Sequence, residues 1–241
     1  MALSHSPKIV TDGLVLCLDA GDGKSYSGSG TTWTDRSGGG NDATLLNGVG
    51  YSANNKGLLT LDGSNDYLNC FDDADVFEDD NSLTVSIFVN INESSLTGRG
   101  GLVSSQRYFT ESDAGGYGLC IIDGAICVNL TKNIGGTQSS YQTLNQIYAL
   151  TQEMAQYSFT YNNSTKTVIS YINGIQKAST TNSNYGWTVN TGNRLTRIGI
   201  NWQGGWGNRY NMEIASVHIY NKALTADQVL QNYNAQKGRF S

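Results

Sequence analysis

Short runs of β-forming residues recur along this chain and constrain its fold more than any other feature. They are GLVLCLDA (13–20), GLLTLDG (57–63), SLTVSIFVNI (82–91), GLVSSQRY (101–108), YGLCIID (117–123), AICVNLT (125–131), AQYSFTYN (155–162), KTVISYING (166–174), LTRIGINW (195–202) and EIASVHIYN (213–221). Many alternate apolar and polar residues, the pattern of a strand with one wet face. Asp62-Gly63, Asp123-Gly124, Asn162-Asn163 and Asn173-Gly174 supply turn chemistry between them. Many short strands with almost no helical periodicity predict an all-β, two-sheet antiparallel β-sandwich. One helix is expected near the end. Thr225-Ala226-Asp227-Gln228 forms a capping box, Leu224 and Val229 a hydrophobic staple, and Gly238 marks the far end. Val229, Leu230 and Tyr233 share a face expected to dock on a sheet.

At 241 residues the chain can bury roughly 70–75% of its unfolded surface and needs neither metal nor disulfide to fold. The segment 21–56 is rich in Gly, Ser, Asn and Thr, but Trp33 within it predicts an ordered loop pinned to the core. The expected organisation is an arm at 1–12 and one domain at 13–241. Fifteen basic against 20 acidic residues give a net charge of −5, which argues against nucleic acid. No apolar run reaches a membrane-spanning length. The start, MALSHSPKIV, is too polar for a secretory signal, so cytoplasmic synthesis without export is expected. Cys17, Cys70, Cys120 and Cys127 show no metal-binding spacing. Counting outward from Asp123-Gly124 sets Cys120 opposite Cys127 at a hydrogen-bonded position, too widely spaced for a disulfide. Free, half-buried thiols are expected. The sequons at Asn92, Asn129 and Asn163 are then incidental.

The segments LDGSNDYL (61–68), SYING (170–174) and IASVHIYNKALTADQVLQNYNAQKGR (214–239) together resemble the laminin-G-like, concanavalin A-like jelly-roll superfamily. Phe88 stands where many members of that superfamily carry Trp. The stretch IVTDGLVLCLDAGDGKSYSGSGTTWTDRSGGGNDATLLNG (9–48) resembles a narrower group, the virion proteins of tailed phages, especially marine and cyanobacterial ones. The first resemblance implies a jelly roll with a short C-terminal α-helix. The second implies a virion structural role.

The same superfamily includes glycoside hydrolases, which need two carboxylates about 5–5.5 Å apart. Related glucanases space them as Glu-x-Asp-x-Glu or one residue longer. Glu111-Ser112-Asp113 comes nearest, but no third acid follows, and Glu78, Glu93, Glu153 and Glu213 are isolated. His5 lies in the arm, and His218 reads as a partly exposed strand residue. No catalytic residue is assigned. The run FDDADVFEDD (71–80) admits two readings. Asp72, Asp73 and Asp75, with Asp62 and Asp66 nearby, could supply oxygen ligands to calcium; or the run is a solvated turn whose acids cap a short helical segment. The turn is preferred, so no cofactor is assigned. In NWQGGWGNRY (201–210) the glycines deny Trp202 and Trp206 a regular element. With Asn201, Gln203, Asn208, Arg209 and Tyr210 they form either a sugar-stacking platform or a protein contact, the latter favoured by the virion resemblance.

The sequence thus leads to a non-catalytic decoration on a phage particle, on the head rather than the tail. It would adhere to other virion proteins of capsid or tail, self-associate about a symmetry axis, often three-fold in such decorations, and sit on the virion surface. The alternative is a carbohydrate-binding adhesin recognising host surface glycans through the Trp202/Trp206 loop. Neither reading involves nucleic acid or membrane.

Overall fold

The computed structural model describes residues 7–78, 81–93, 97–105, 115–134, 137–144, 153–187, 195–200 and 209–240, with the backbone alone at 74, 133–134 and 137–144. Its strands are β1 (Leu14–Asp19), β2 (Thr32–Trp33), β3 (Ala43–Leu46), β4 (Gly50–Ser52), β5 (Leu58–Asp62), β6 (Tyr67–Asp72), β7 (Leu83–Ile91), β8 (Arg99–Ser104), β9 (Gly116–Ile122), β10 (Ala125–Ile134), β11 (Thr137–Leu144), β12 (Ala155–Asn162), β13 (Thr167–Ile172), β14 (Ile175–Thr181), β15 (Leu195–Ile198) and β16 (Asn211–Tyr220). They form two eight-stranded antiparallel sheets, and α1 (Ala226–Gln236) follows them. The first sheet runs β14-β13-β12-β7-β16-β5-β4, with β1 also on β16; the second runs β11-β10-β9-β8-β15-β6-β3-β2. This is a β-sandwich jelly roll closed by a short C-terminal helix.

Strand periodicity builds the core. Val85, Ile87 and Val89 of β7, Tyr157, Phe159 and Tyr161 of β12, and Val217 and Ile219 of β16 point between the sheets. Leu68, Leu119, Val128, Leu130 and Ile198 meet them from the second sheet, all buried. Each such side chain contributes roughly 1.5–3 kcal/mol on burial. At the hairpin tips Asp123 and Gly124 have φ of 47° and 82°, and Asn173 and Gly174 have φ of 53° and 75°. That is the doubly positive pattern of the two-residue turns that match sheet twist.

The loop 21–56 is ordered. Trp33 is fully buried, and the Asp35 carboxylate accepts hydrogen bonds from the amides of Cys17 (2.8 Å), Ser37 (2.8 Å) and Asn41 (3.1 Å) and from the Ser37 hydroxyl (2.6 Å). Cys120 faces Cys127 as the turn register requires, and Cys17, Cys70, Cys120 and Cys127 are free thiols. They are buried rather than half-buried.

The helix docks differently from the sequence expectation. Its capping box forms, with the Gln228 amide donating to Thr225 Oγ1 (3.3 Å) and the Thr225 amide to Gln228 Oε1 (3.0 Å). Its buried residues, however, are Val229, Asn232 and Gln236, while Leu230 is 39% exposed. The face it covers explains the choice: the outer side of the first sheet is polar, carrying Ser86, Ser158, Ser216 and His218. Amides suit that surface better than leucine. Ser216 Oγ donates to Gln236 Oε1 (2.6 Å), and Gln236 Nε2 lies 3.1 Å from His218 Nε2. Asn232 Nδ2 donates to the Tyr220 hydroxyl (2.9 Å), and its Oδ1 accepts from the Val10 amide (2.8 Å), which ties residues of the arm to the helix. His218 is therefore 1% exposed rather than partly exposed, and burial lowers its pKa from 6.5 to about 4. Phe88, in the tryptophan-like position, stacks on Tyr233 and Phe240 at ring distances of 5.9 and 5.2 Å.

Candidate functional site

One end of the sandwich gathers the residues that follow β5, precede β6 and lead into β16. Asp62 closes β5 opposite Asn211, the first residue of β16. Its carboxylate accepts from the amides of Ser64 (2.7 Å) and Asn65 (3.4 Å). These bonds, Ser64's foremost, hold it below the usual carboxylate range. Asp66 Oδ2 accepts from the Asp62 amide (3.1 Å), while Oδ1 is shielded from solvent and has no hydrogen-bond partner. Burial raises the Asp66 pKa, and the bond from Asp62 partly opposes it. Glu93 Oε1 accepts from the Asn211 amide (2.8 Å). Arg209 Nη1 donates to the Ser64 carbonyl (3.3 Å), whereas its Nε is shielded without a partner. Tyr210 is 3% exposed and its hydroxyl reaches the Thr97 carbonyl at 3.5 Å, which makes it an anchor of the loop rather than a contact on its surface.

The structure thus brings Arg209 and Tyr210 to Asp62 and Asp66. Trp202, Gln203, Trp206 and Asn208, like Asn201, lie outside the described residues; the chain enters that segment from Ile200 and leaves it at Arg209.

The acidic set considered for calcium divides. Asp62 and Asp66 flank the start of β6 while Asp72, Asp73 and Asp75 lie at its far end; an extended strand of this length separates them by about 20 Å. The five carboxylates cannot share one ion. Asp73 is an internal strut instead. It is fully buried, its Oδ1 accepts from Thr196 Oγ1 (2.7 Å), Thr196 Oγ1 lies 2.7 Å from the Tyr117 hydroxyl, and its carbonyl accepts from the amides of Val76 and Phe77. Among the described residues no group of three or more His, Cys, Asp or Glu is arranged to hold a metal. Glu111 and Asp113, the nearest approach to a catalytic pair, lie outside the described residues.

The sequence reading passed over Arg197. In β15, Thr196 and Ile198 are buried between the sheets, so Arg197 stands on the outer face of the second sheet. It lies opposite Asn69 on β6 and Ser104 on β8, and its guanidinium sits over the Tyr67 ring at 5.6 Å. Arg197 Nε and Asn69 Oδ1 are both shielded without hydrogen-bond partners. Strand alternation in Leu195-Thr196-Arg197-Ile198 was the signal that could have exposed it. A cavity of about 590 Å³ also opens beside the end of α1. Its rings are already engaged: Phe88 stacks on Tyr233 and Phe240, Lys237 lies over Tyr233 and Arg239 over Phe240.

Residues 62–230 match the family described as the Concanavalin A-like lectin/glucanases superfamily, and the chain belongs to it. Among solved structures, the binding domain of Paraclostridial Mosquitocidal Protein 1 superposes with a TM-score of 0.71 at 16% identity, over 93% of this chain and 52% of that one. The receptor binding domain of botulinum neurotoxin D gives 0.66 at 18%, over 94% and 53%, and that of the C/D mosaic serotype 0.66 at 17%, over 94% and 52%. The chain spans about half the length of these relatives, with 52% to 53% of each covered. At these identities what they share with it is the fold. A search of curated protein sequences finds no match. The toxin domains that share its fold are named for binding.

These findings overturn the virion expectation, because the named structures are toxin binding domains and not phage proteins. The head or tail decoration, the capsid and tail partners, the three-fold association and the particle-surface location fall with it. The physical reason lies in 9–48. Trp33 fills the core and Asp35 organises its loop through bonds to Cys17, Ser37 and Asn41. The pattern therefore serves the sandwich itself and carries no information about a particle.

Proposed function

We propose that this domain is a receptor-binding module that recognises carbohydrate through the loop end bearing Arg209 and the adjoining segment 201–208. One observation carries the reading: the Arg209 guanidinium, held by its bond to the Ser64 carbonyl, and the exposed Asp62 carboxylate lie at this one loop end, a donor and an acceptor of the kind that sugar hydroxyls bond to. Trp202 and Trp206 in the same connection supply the flat apolar surfaces that sugars stack on. The likeness to domains named for receptor binding supports the same reading.

A glycan array probed with the whole domain tests it. Saturable binding is expected to one group of oligosaccharides, and Trp206→Ala should abolish it while thermal unfolding stays unchanged. A domain that retains no glycan, or a Trp206→Ala variant that binds as the parent does, would sink the proposal.

A further inference from the structure

The cavity of about 590 Å³ beside the end of α1 is lined by described residues throughout, and small-molecule sites measure about 300–1,000 Å³. It lies between Glu153 and Met154, which lead into β12, and the chain from Tyr233 to Phe240, with Phe88 of β7 and Lys56 also in its wall. The apolar part of that wall is aromatic. The Phe88 ring lies 9° from parallel to Tyr233 at 5.9 Å and 29° from parallel to Phe240 at 5.2 Å. The stacking that engages these rings with one another also fixes them, so the surface is formed before anything arrives.

Gly238 lines the same cavity, and nothing internal requires glycine there. Its φ is not positive, and a Cβ on it would meet no atom within 4 Å. It sits in the helical turn Lys237–Arg239, where glycine is less stable than alanine. Any side chain at 238 would take up part of the cavity; glycine leaves it open.

The charge of the wall points to an anion. Lys56, Lys237 and Arg239 stand against one carboxylate, Glu153. Arg239 is already committed: Nη1 donates to Asp19 (2.5 Å), Nε to the Asn55 carbonyl (3.2 Å) and Nη2 to the Gly57 carbonyl (2.9 Å). Lys237 lies over the Tyr233 ring at 5.4 Å, which keeps its ammonium beside the aromatic wall. Lys56 and Lys237 then set two positive charges against Glu153 and the negative end of α1, about half a charge. The balance is positive in a chain whose net charge is −5.

We propose that this cavity is a binding site for a small aromatic carboxylate, its ring against Met154 and the Phe88, Tyr233 and Phe240 wall and its acid group toward Lys56 and Lys237. It shares no residue with the loop end bearing Asp62 and Arg209 and does not depend on the carbohydrate reading.

Isothermal titration of the whole domain with naphthoate, naphthylmethanol and octanoate tests it. Naphthoate should bind saturably. The alcohol lacks the charge and octanoate the ring, so each should bind about threefold more weakly or worse. Gly238→Leu should abolish naphthoate binding without lowering the unfolding temperature. Lys56→Gln and Lys237→Gln should each weaken it about two- to fivefold, as exposed charges do, and the double variant about tenfold. Glu153→Gln should strengthen it about twofold. Trp206→Ala should bind naphthoate as the parent does, which separates this site from glycan recognition. Absence of saturable naphthoate binding, equal affinity for the alcohol or octanoate, or undiminished binding by Gly238→Leu or the double lysine variant overturns the proposal.

Discussion

The two outer faces of the sandwich solve the same problem in opposite ways. Each sheet turns a polar row away from the core. On the first, the row Tyr171-Ser158-Ser86-His218-Cys17 crosses neighbouring strands and is buried throughout. The fold covers this region with α1, whose Gln236 and Asn232 bond to His218, Ser216 and Tyr220. The row carries no formal charge near neutral pH, since burial keeps His218 unprotonated. On the second sheet the row Thr44-Asn69-Arg197-Ser104 carries a permanent charge, and no acid of the described chain answers it. The face with internal cover is neutral and matched by amides; the other carries a permanent charge with no acid beside it among the described residues.

That contrast can be broken most forcefully at Phe88. Removing its ring takes away the stack with Tyr233 and Phe240, so Phe88→Ala should lower the unfolding free energy by about 3–5 kcal/mol, the range for aromatic truncation in a core. Urea denaturation measures it; a change below about 1 kcal/mol would mean the helix is not held by this clamp. Acid comes next. His218 has its pKa lowered from 6.5 to about 4. Above 6.5 folded and unfolded chains are both neutral there; below it the unfolded chain takes up a proton that the folded one resists. Stability should therefore fall between pH 6.5 and 4 and level off beneath, by about 3 kcal/mol. The Asp62 pKa is lowered and that of Asp66 raised, so their effects on acid stability oppose each other, and His218→Gln separates the histidine's share: that variant should lose most of the slope above pH 5. The smallest effect belongs to the other face. Arg197→Gln should alter stability by no more than about 0.5 kcal/mol, and a small gain is expected because an unpaired charge is removed. A loss of several kcal/mol would show that Arg197 is structural and would erase the distinction between the faces.

How much of this was legible beforehand follows from what each strand does. β7, β12 and β16 carry runs of apolar residues because they cross the middle of the first sheet, and their periodicity announces them. The hairpins at Asp123-Gly124 and Asn173-Gly174 announce themselves by turn chemistry. Less visible were β11, TQSSYQTL, and β14, IQKASTT, which lie at the sheet edges. An edge strand has one neighbour and little to bury, so no alternation marks it. The helix was visible through its cap, but its docking face was not: choosing Asn232 and Gln236 over Leu230 depends on a polar sheet surface assembled from distant strands. Arg209 and Tyr210 were found because aromatic and polar residues cluster around them. Arg197 was missed because nothing in a run of sequence says that Asn69 and Ser104 flank it; that is a property of β6 and β8 lying on either side.

The placement of β16 reaches beyond binding. One of its edges pairs with β7, and the other is divided between β5, along Asn211–Ile214, and β1, along Ser216–Tyr220. β1 has β16 as its ladder partner, so β1 waits for a strand made far later. On a ribosome releasing about 5–20 residues each second, the first sheet stays divided until β16 has emerged. Closure of loops this long makes for slow folding, and until it happens the bare edge of β7 is open to any other extended chain.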